Sequence, residues 1–244
     1  MITDRYFEHV EALFKRVRET QMDNIRAAGK MMADAMMRNA NIIIHDTGHI
    51  INSEMTGRSG GLVAPTYLKY YLVTENPGRP NRAAEKAKDR SQEGMAELVF
   101  NAGSICPGDL VIIGSVSGRS EQLVDLALCL KKHDCQIIAV TSLEYSTQVE
   151  SAHSSGKKLY QIADLVIDNC APLGDGMMHV EGIPVPFVPA SGLSATYLMW
   201  AVYCECAEEL LKHGITPSVF KSANMPGGDE YNLGMENRWK ELGY

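Results

Sequence analysis

The sequence predicts an α/β protein built on a parallel sheet with helices on both faces. Three observations carry that expectation. Short β-branched runs recur: NIIIH at 41–45, DLVIIG at 109–114, QIIAVT at 136–141 and ADLVID at 163–168. They are almost continuously apolar, as strands buried on both faces are. Segments with helical spacing separate them, and strand–helix–strand alternation is the mark of βαβ units.

The elements follow in order. Residues 4–39 read as helix, with Phe7, Val10, Leu13, Phe14, Val17 and Ile25 near helical spacing and no proline. The first strand, 41–45, ends in the polar turn Asp46-Thr47-Gly48. Residues 49–57 open a helix that GRSGG at 57–61 stops, and 67–73 reads as a second strand. The Asn-, Pro-, Gly- and charge-rich stretch 75–90 reads as an exposed loop. Residues 91–102 return to helix with Ser91 as N-cap. After the 109–114 strand, 119–133 is a helix with Leu123, Leu126, Ala127 and Leu130 on one face. A short helix at 145–152 lies between the last two strands. The Gly- and Pro-rich segment 173–189 reads as a loop or hairpin. Residues 191–213 form a long helix with Leu193, Tyr197, Trp200, Ala201 and Leu211 as core candidates and Gly214 as its stop. In the tail, NMPGGDEYN at 224–232 reads as too glycine-rich for a regular element.

Composition narrows the function classes. The chain has 244 residues, net charge -7, 45% hydrophobic and 22% charged residues, an ordinary globular balance. No dense Lys/Arg stripe is present, so a nucleic-acid partner is not expected. No stretch approaches the ~20 apolar residues of a membrane span, and the acidic, amphipathic start is unlike a signal peptide. Six cysteines without a C-x-x-C pair predict reduced thiols and a cytoplasmic protein.

The main motif is GSVSGRS at 114–120, between a strand and a helix. Helix-start N–H groups lack internal partners and the helix dipole favours an anion there. Ser115, Ser117 and Ser120 add hydroxyls, Arg119 a cation, and Gly118 lets the backbone come close. This predicts an anion cradle; the competing structural reading is a serine-rich N-cap turn. The P-loop and G-x-G-x-x-G patterns are missing.

The second constellation follows the first strand, on the same expected sheet edge: Thr47, Gly48 and His49, with Glu54 beyond. His49 is a candidate acid/base near neutral pH and Glu54 a candidate proton carrier; alternatively Glu54 is a solvated helix residue. Glu93 is either a reserve base or a helix-start acid complementing the dipole. Asp175 and His179 lie in the loop after the last strand, and Ser191 heads the last long helix; Asp175 and Ser191 join the substrate-binding candidates. His179, His49 and Glu54 offer zinc-type ligands at unspecific spacing, so neither metal nor cofactor is expected.

DLVIIGSVSGRSEQLVDLALCLKKHDCQIIAVTS resembles the core of the sugar isomerase (SIS) domain, which carries S-x-S-G-x-[ST] between a strand and a helix. GKKLYQIADLVIDN resembles that family's next strand. The chain is most similar to its stand-alone phosphosugar-binding branch, through Asp46–His49, Glu54, Glu93-Gly94, 171–175 and 222–232. That branch has Gly where this chain has Asp46 and Ser where it has Ile50. The resemblance implies a doubly wound three-layer sandwich on a five-stranded parallel sheet, divided as helical segment 1–40, SIS α/β domain 41–215 and tail 216–244. The tail is expected near the site or a partner. The resemblance also implies homodimers or homotetramers, and a phosphate or equivalent anion on Ser115, Ser117 and Ser120.

The expected activity is aldose–ketose isomerisation of a phosphorylated or sulfonated sugar through an enediol. Glu54 would be the base, His49 the proton shuttle and Glu93 the reserve. The alternatives are a sugar-phosphate sensor without turnover and an etherase or lyase acting on a muramic acid phosphate.

Overall fold

The computed structural model describes residues 1–47, 51–71, 91 and 93–244. Five parallel strands form the sheet: β1 (Ile42–Asp46), β2 (Pro65–Tyr67), β3 (Leu110–Gly114), β4 (Gln136–Thr141) and β5 (Leu165–Asp168), in the order β2-β1-β3-β4-β5. Alternate residues face opposite ways along each strand. Ile42, Ile44, Leu110, Ile112, Ile138 and Val140 enter one core with helices α1 (Ile2–Met37) and α6 (Ser191–Lys212). Ile43, Val111, Ile113, Ile137 and Ala139 enter the other with α3 (Met95–Ala102) and α4 (Glu121–Lys132). The expected doubly wound three-layer sandwich is what forms.

Small residues let α1 and α6 meet closely: a Cβ on Gly29 would lie 2.4 Å from Glu205 Cβ. Aromatic stacking of Phe14 on Tyr197, with ring centroids 4.4 Å apart, extends the contact. The helical N-terminal segment is thus a wall of the sandwich itself.

Several elements differ from expectation. The edge strand is Pro65–Tyr67, two residues earlier than read; Pro65 starts it, a position that does not need its N–H. The first short helix is α2 (Asn52–Met55). Helix α3 starts at Met95 after Gly94, whose φ of 88° is left-handed. Ser91 is no N-cap: its hydroxyl donates to Glu121 (2.5 Å) and accepts from the Glu93 N–H (3.2 Å). The short helix after β4 is α5 (Leu143–Ser146), followed by a 3-10 turn at Leu159–Gln161. The hairpin after β5 consists of β6 (Gly176–Met178) and β7 (Phe187–Pro189). The buried face of α6 is Ala195, Leu198, Met199, Val202, Cys206 and Leu210, while Tyr197 and Leu211 are exposed. The tail forms helix α7 (Gly228–Leu242), begun by left-handed Gly227 with Asp229 and Glu230 in the first turn, where acids suit the dipole. Ahead of α7, Val219 bridges antiparallel to Leu62. The expected loop 75–90 lies outside the described residues.

Candidate functional site

The strand order reverses between β1 and β3. The chain leaving β1 returns over the α1/α6 face, placing Ile51 and Met55 in that core, whereas the chain leaving β3 enters α4 on the other face. Loops that part in this way open a crevice at the strand carboxyl ends, where α/β sheets bind ligands. Asp46 and Gly114 are register partners at the crevice, and the Thr47 N–H donates to the Gly114 carbonyl at 3.2 Å. The Thr47 turn and the serine loop are therefore neighbours.

The serine loop is fixed mainly through its backbone. The Ser115 N–H donates to the Val140 carbonyl at 3.0 Å, and the Val116 carbonyl accepts from both Thr141 Oγ1 and the Ser142 N–H at 3.0 Å. The Gly118 N–H donates to Ser115 Oγ at 3.3 Å. On the far side, the Gly118 carbonyl accepts from the Leu159 N–H (2.9 Å) and the Arg119 carbonyl from the Ala152 N–H (3.0 Å). Gly118 is required twice over: its φ is 57°, and a Cβ would lie 3.1 Å from Leu159 Cβ.

Ser120 is the N-cap of α4, but its side chain makes no capping hydrogen bond. The helix-start N–H groups are not met by that hydroxyl, which separates this turn from an ordinary serine cap. Ser117 is half-buried. Arg119 is exposed, and its Nε donates to the Glu150 carbonyl at 2.6 Å. Behind the loop the buried Lys158 ammonium donates to the Ser146 and Val149 carbonyls at 2.6 and 2.8 Å. It adds positive charge next to Leu159, a feature the sequence reading passed over.

On the other side of the crevice, the buried Asp46 carboxylate accepts the Ile51 N–H at 2.5 Å and closes the turn into α2. The Asp46 side chain thus ties the end of β1 to the residue that precedes α2. Glu54 is one third exposed and pairs at 2.6 Å with Arg58, which lies beyond the end of α2. Gly48, His49 and Ile50 lie outside the described residues, so the His49–Glu54–His179 zinc grouping is not assembled among those described. His179 is exposed, and its carbonyl accepts from Arg5.

Glu93 is committed to Ser154: its two carboxylate oxygens accept from the Ser154 N–H (2.7 Å) and hydroxyl (2.6 Å). These bonds hold its carboxyl below the usual carboxylate range. Beside it stands His153, whose side chain is only 7% exposed, with Nε2 3.9 Å from Glu93 and 4.0 Å from Asp125. Asp125 in turn accepts from the Gly94 and Ala96 N–H groups at 3.0 Å and caps α3. Sequence reasoning missed this cluster, because residues from three separate segments meet only in the fold. Nearby, His45 stacks on Tyr70 at 5.4 Å. Burial lowers the His45 pKa and pushes Tyr70 up to about 12. Asp175 and Ser191 bind each other: the Asp175 carboxylate accepts from the Ser191 N–H and hydroxyl, both at 2.8 Å, and fixes the start of α6.

The fold and crevice define a doubly wound α/β protein with a serine loop at its topological switch point. By sequence, the chain belongs to the SIS-domain family: the SIS domain model matches residues 5–142. It is 32% identical over 242 residues to the UPF0309 protein of Geobacillus kaustophilus (strain HTA426), covering 98% of this chain and 94% of that one. A UPF0309 protein of Listeria monocytogenes is 32% identical over 238 residues, covering 97% and 96%. The phosphoheptose isomerases of Neisseria gonorrhoeae and Francisella tularensis share the fold. The first has a TM-score of 0.50 at 15% identity, covering 84% of this chain and 97% of that one. The second has 0.50 at 15%, covering 86% and 96%. No described helix is long and apolar enough to cross a membrane.

Proposed function

We propose that the protein is an aldose–ketose isomerase acting on a phosphorylated or otherwise anionic sugar. The observation that carries this reading is the serine loop at the switch point, whose capping serine leaves the helix-start N–H groups without its hydroxyl. Ser115, Ser117 and Ser120 would take the phosphate or sulfonate, since amide and hydroxyl donors bind any tetrahedral anion. Ser115 would act from a hydroxyl that already accepts from Gly118. The printed name of two proteins of the same fold, phosphoheptose isomerase, makes a sugar phosphate the first substrate class to test.

The anchored end would position the reacting carbons over the β1 side of the crevice. Glu54 would take the C2 proton and return it to C1 through an enediol, while His49 carried the proton between O2 and O1. Thr47 and Gly48 would line the near wall. Glu93 is a poorer base, since Ser154 occupies both its oxygens. A cytoplasmic homodimer or homotetramer belongs to the same proposal.

A panel of aldose phosphates and sulfosugars incubated with the protein in deuterated water is expected to yield label at C1 or C2. Tight binding with no exchange for any member would replace the isomerase by a sugar-phosphate-binding sensor. The pairing of Glu54 with Arg58 is the observation that favours that second reading.

A further inference from the structure

About nine residues along α4 from the serine loop, roughly 13 Å at helical rise, a different chemistry is gathered. Cys129 and His133 are one turn apart on the same helix face, the spacing at which two side chains meet. Helix α3 brings Glu97 to them. The carboxylate oxygen, the thiol sulfur and the imidazole nitrogen all lie within 4.8 Å of one another. Tetrahedral zinc with bonds of about 2.0–2.3 Å places its ligand atoms roughly 3.3–3.8 Å apart, a spacing that these atoms approach.

We infer that Glu97, Cys129 and His133 form a binding site for a zinc-class divalent cation, with a fourth position left to water. Thiolate, imidazole and carboxylate together suit such an ion, which calcium and magnesium do not share. The surroundings match a ligand set whose outer contacts orient it. Lys132 holds one Glu97 oxygen at 2.5 Å, leaving the other, 3.0 Å from His133 Nε2, to face the site. Phe100 stacks on the His133 ring at 4.0 Å and fixes its plane. Cys129 is buried, while Glu97 and His133 are partly exposed and leave a way in. The competing structure is a plain ion pair of Glu97 with Lys132 and His133 above a buried thiol.

Binding has a defined proton balance. The metal displaces the Cys129 thiol proton, which leaves to solvent, and the His133 ring binds through Nε2 with its proton on Nδ1. Burial first, then Glu97 and Asp125, push the Cys129 thiol up to about 11, while Lys132 opposes them. His133 and Cys135 also face it, and Cys135 is likewise raised to about 11.

The test uses the full chain stripped with chelator and titrated with zinc and with cobalt(II). The expected result is one ion per chain and a thiolate-to-cobalt charge-transfer band. Cys129→Ser should remove the band. His133→Gln and Glu97→Gln should each weaken zinc binding at least tenfold while far-UV circular dichroism stays unchanged. These two positions are partly exposed, so they carry the test even if Cys129→Ser fails to fold. Binding without a thiolate band, or unchanged affinity in the two Gln variants, would overturn the site. None of these readouts depends on the isomerase proposal.

Discussion

The two banks of the crevice are built differently. On the β3 side, the serine loop is held by main-chain bonds to the β4 end and to the 150–159 segment, and one glycine in the left-handed region closes the turn. On the β1 side, among the described residues, side-chain contacts join the main-chain bond from Thr47 to Gly114: Asp46 to the Ile51 N–H and Glu54 to Arg58. Main-chain bonding would hold the proposed anion anchor in place whatever the neighbouring side chains are. Side-chain bonding makes the β1 bank more open to change by substitution.

That contrast makes sharp expectations. The largest effect belongs to the β1 bank. Glu54→Gln removes the proposed base while keeping a hydrogen-bonding amide beside Arg58. Turnover is expected to fall about 10²–10⁴-fold, the usual worth of a positioned general base, with the dissociation constant of the sugar phosphate unchanged. Equal turnover in the variant would move the base elsewhere.

The β3 bank should show the opposite split. Ser120→Ala removes a hydroxyl that caps nothing in this structure. Losing a hydrogen bond to a charged group costs about 1.5–3 kcal/mol, so anion affinity should drop roughly 10–100-fold while thermal stability hardly moves. An ordinary capping serine would do the reverse, and a melting curve beside a binding isotherm decides between them.

How much of this was legible in the sequence depends on how each part is built. Strands β3 and β4 were readable almost to the residue, because a buried parallel strand is a short apolar run bounded by polar turns. The serine loop was readable because strand, glycine and helix start are consecutive in the chain. The face of α6 was not: SGLSATYLMWAVYC is apolar all round, so no polar stripe fixes the phase, and the reading chose Tyr197 where Leu198 and Met199 are buried. Helix α7 was hidden because two glycines open it, one supplying a left-handed cap. The Glu93–Ser154 and Asp125–His153 contacts join residues from 28 to 61 apart, which no local pattern reports. Cys129 and His133 carried a readable i,i+4 spacing, but their partner Glu97 did not.

Gly118→Ala tests the anchor's rigidity itself. A side chain at φ 57° that also meets Leu159 Cβ at 3.1 Å strains the loop. A residue forced into that region costs of order 1–3 kcal/mol. The expected loss of stability is of that size, with weaker anion binding in the surviving folded protein. A variant as stable as the parent, with intact affinity, would mean that the loop is not fixed in the way its hydrogen bonds indicate.

The smallest expected effect concerns pH, and it joins the two banks through His45 at the end of β1. Burial lowers its pKa from the ordinary 6.5, so the folded protein binds its proton less readily than the unfolded chain does. The sign follows directly. Above about pH 6.5 both states are neutral and the histidine contributes no pH dependence. As pH falls below that, the unfolded chain takes up a proton that the folded one resists, and stability declines until the folded pKa is passed. His45→Asn should flatten the melting temperature between pH 6.5 and 5 relative to the parent. Glu93, whose pKa is lowered by Ser154, acts further down: its contribution persists above the ordinary carboxylate value of 4.5 and is lost as pH falls through its folded value. The two groups therefore act in separate windows. A slope that persists unchanged in the His45 variant between pH 6.5 and 5 would assign the acid sensitivity to another group.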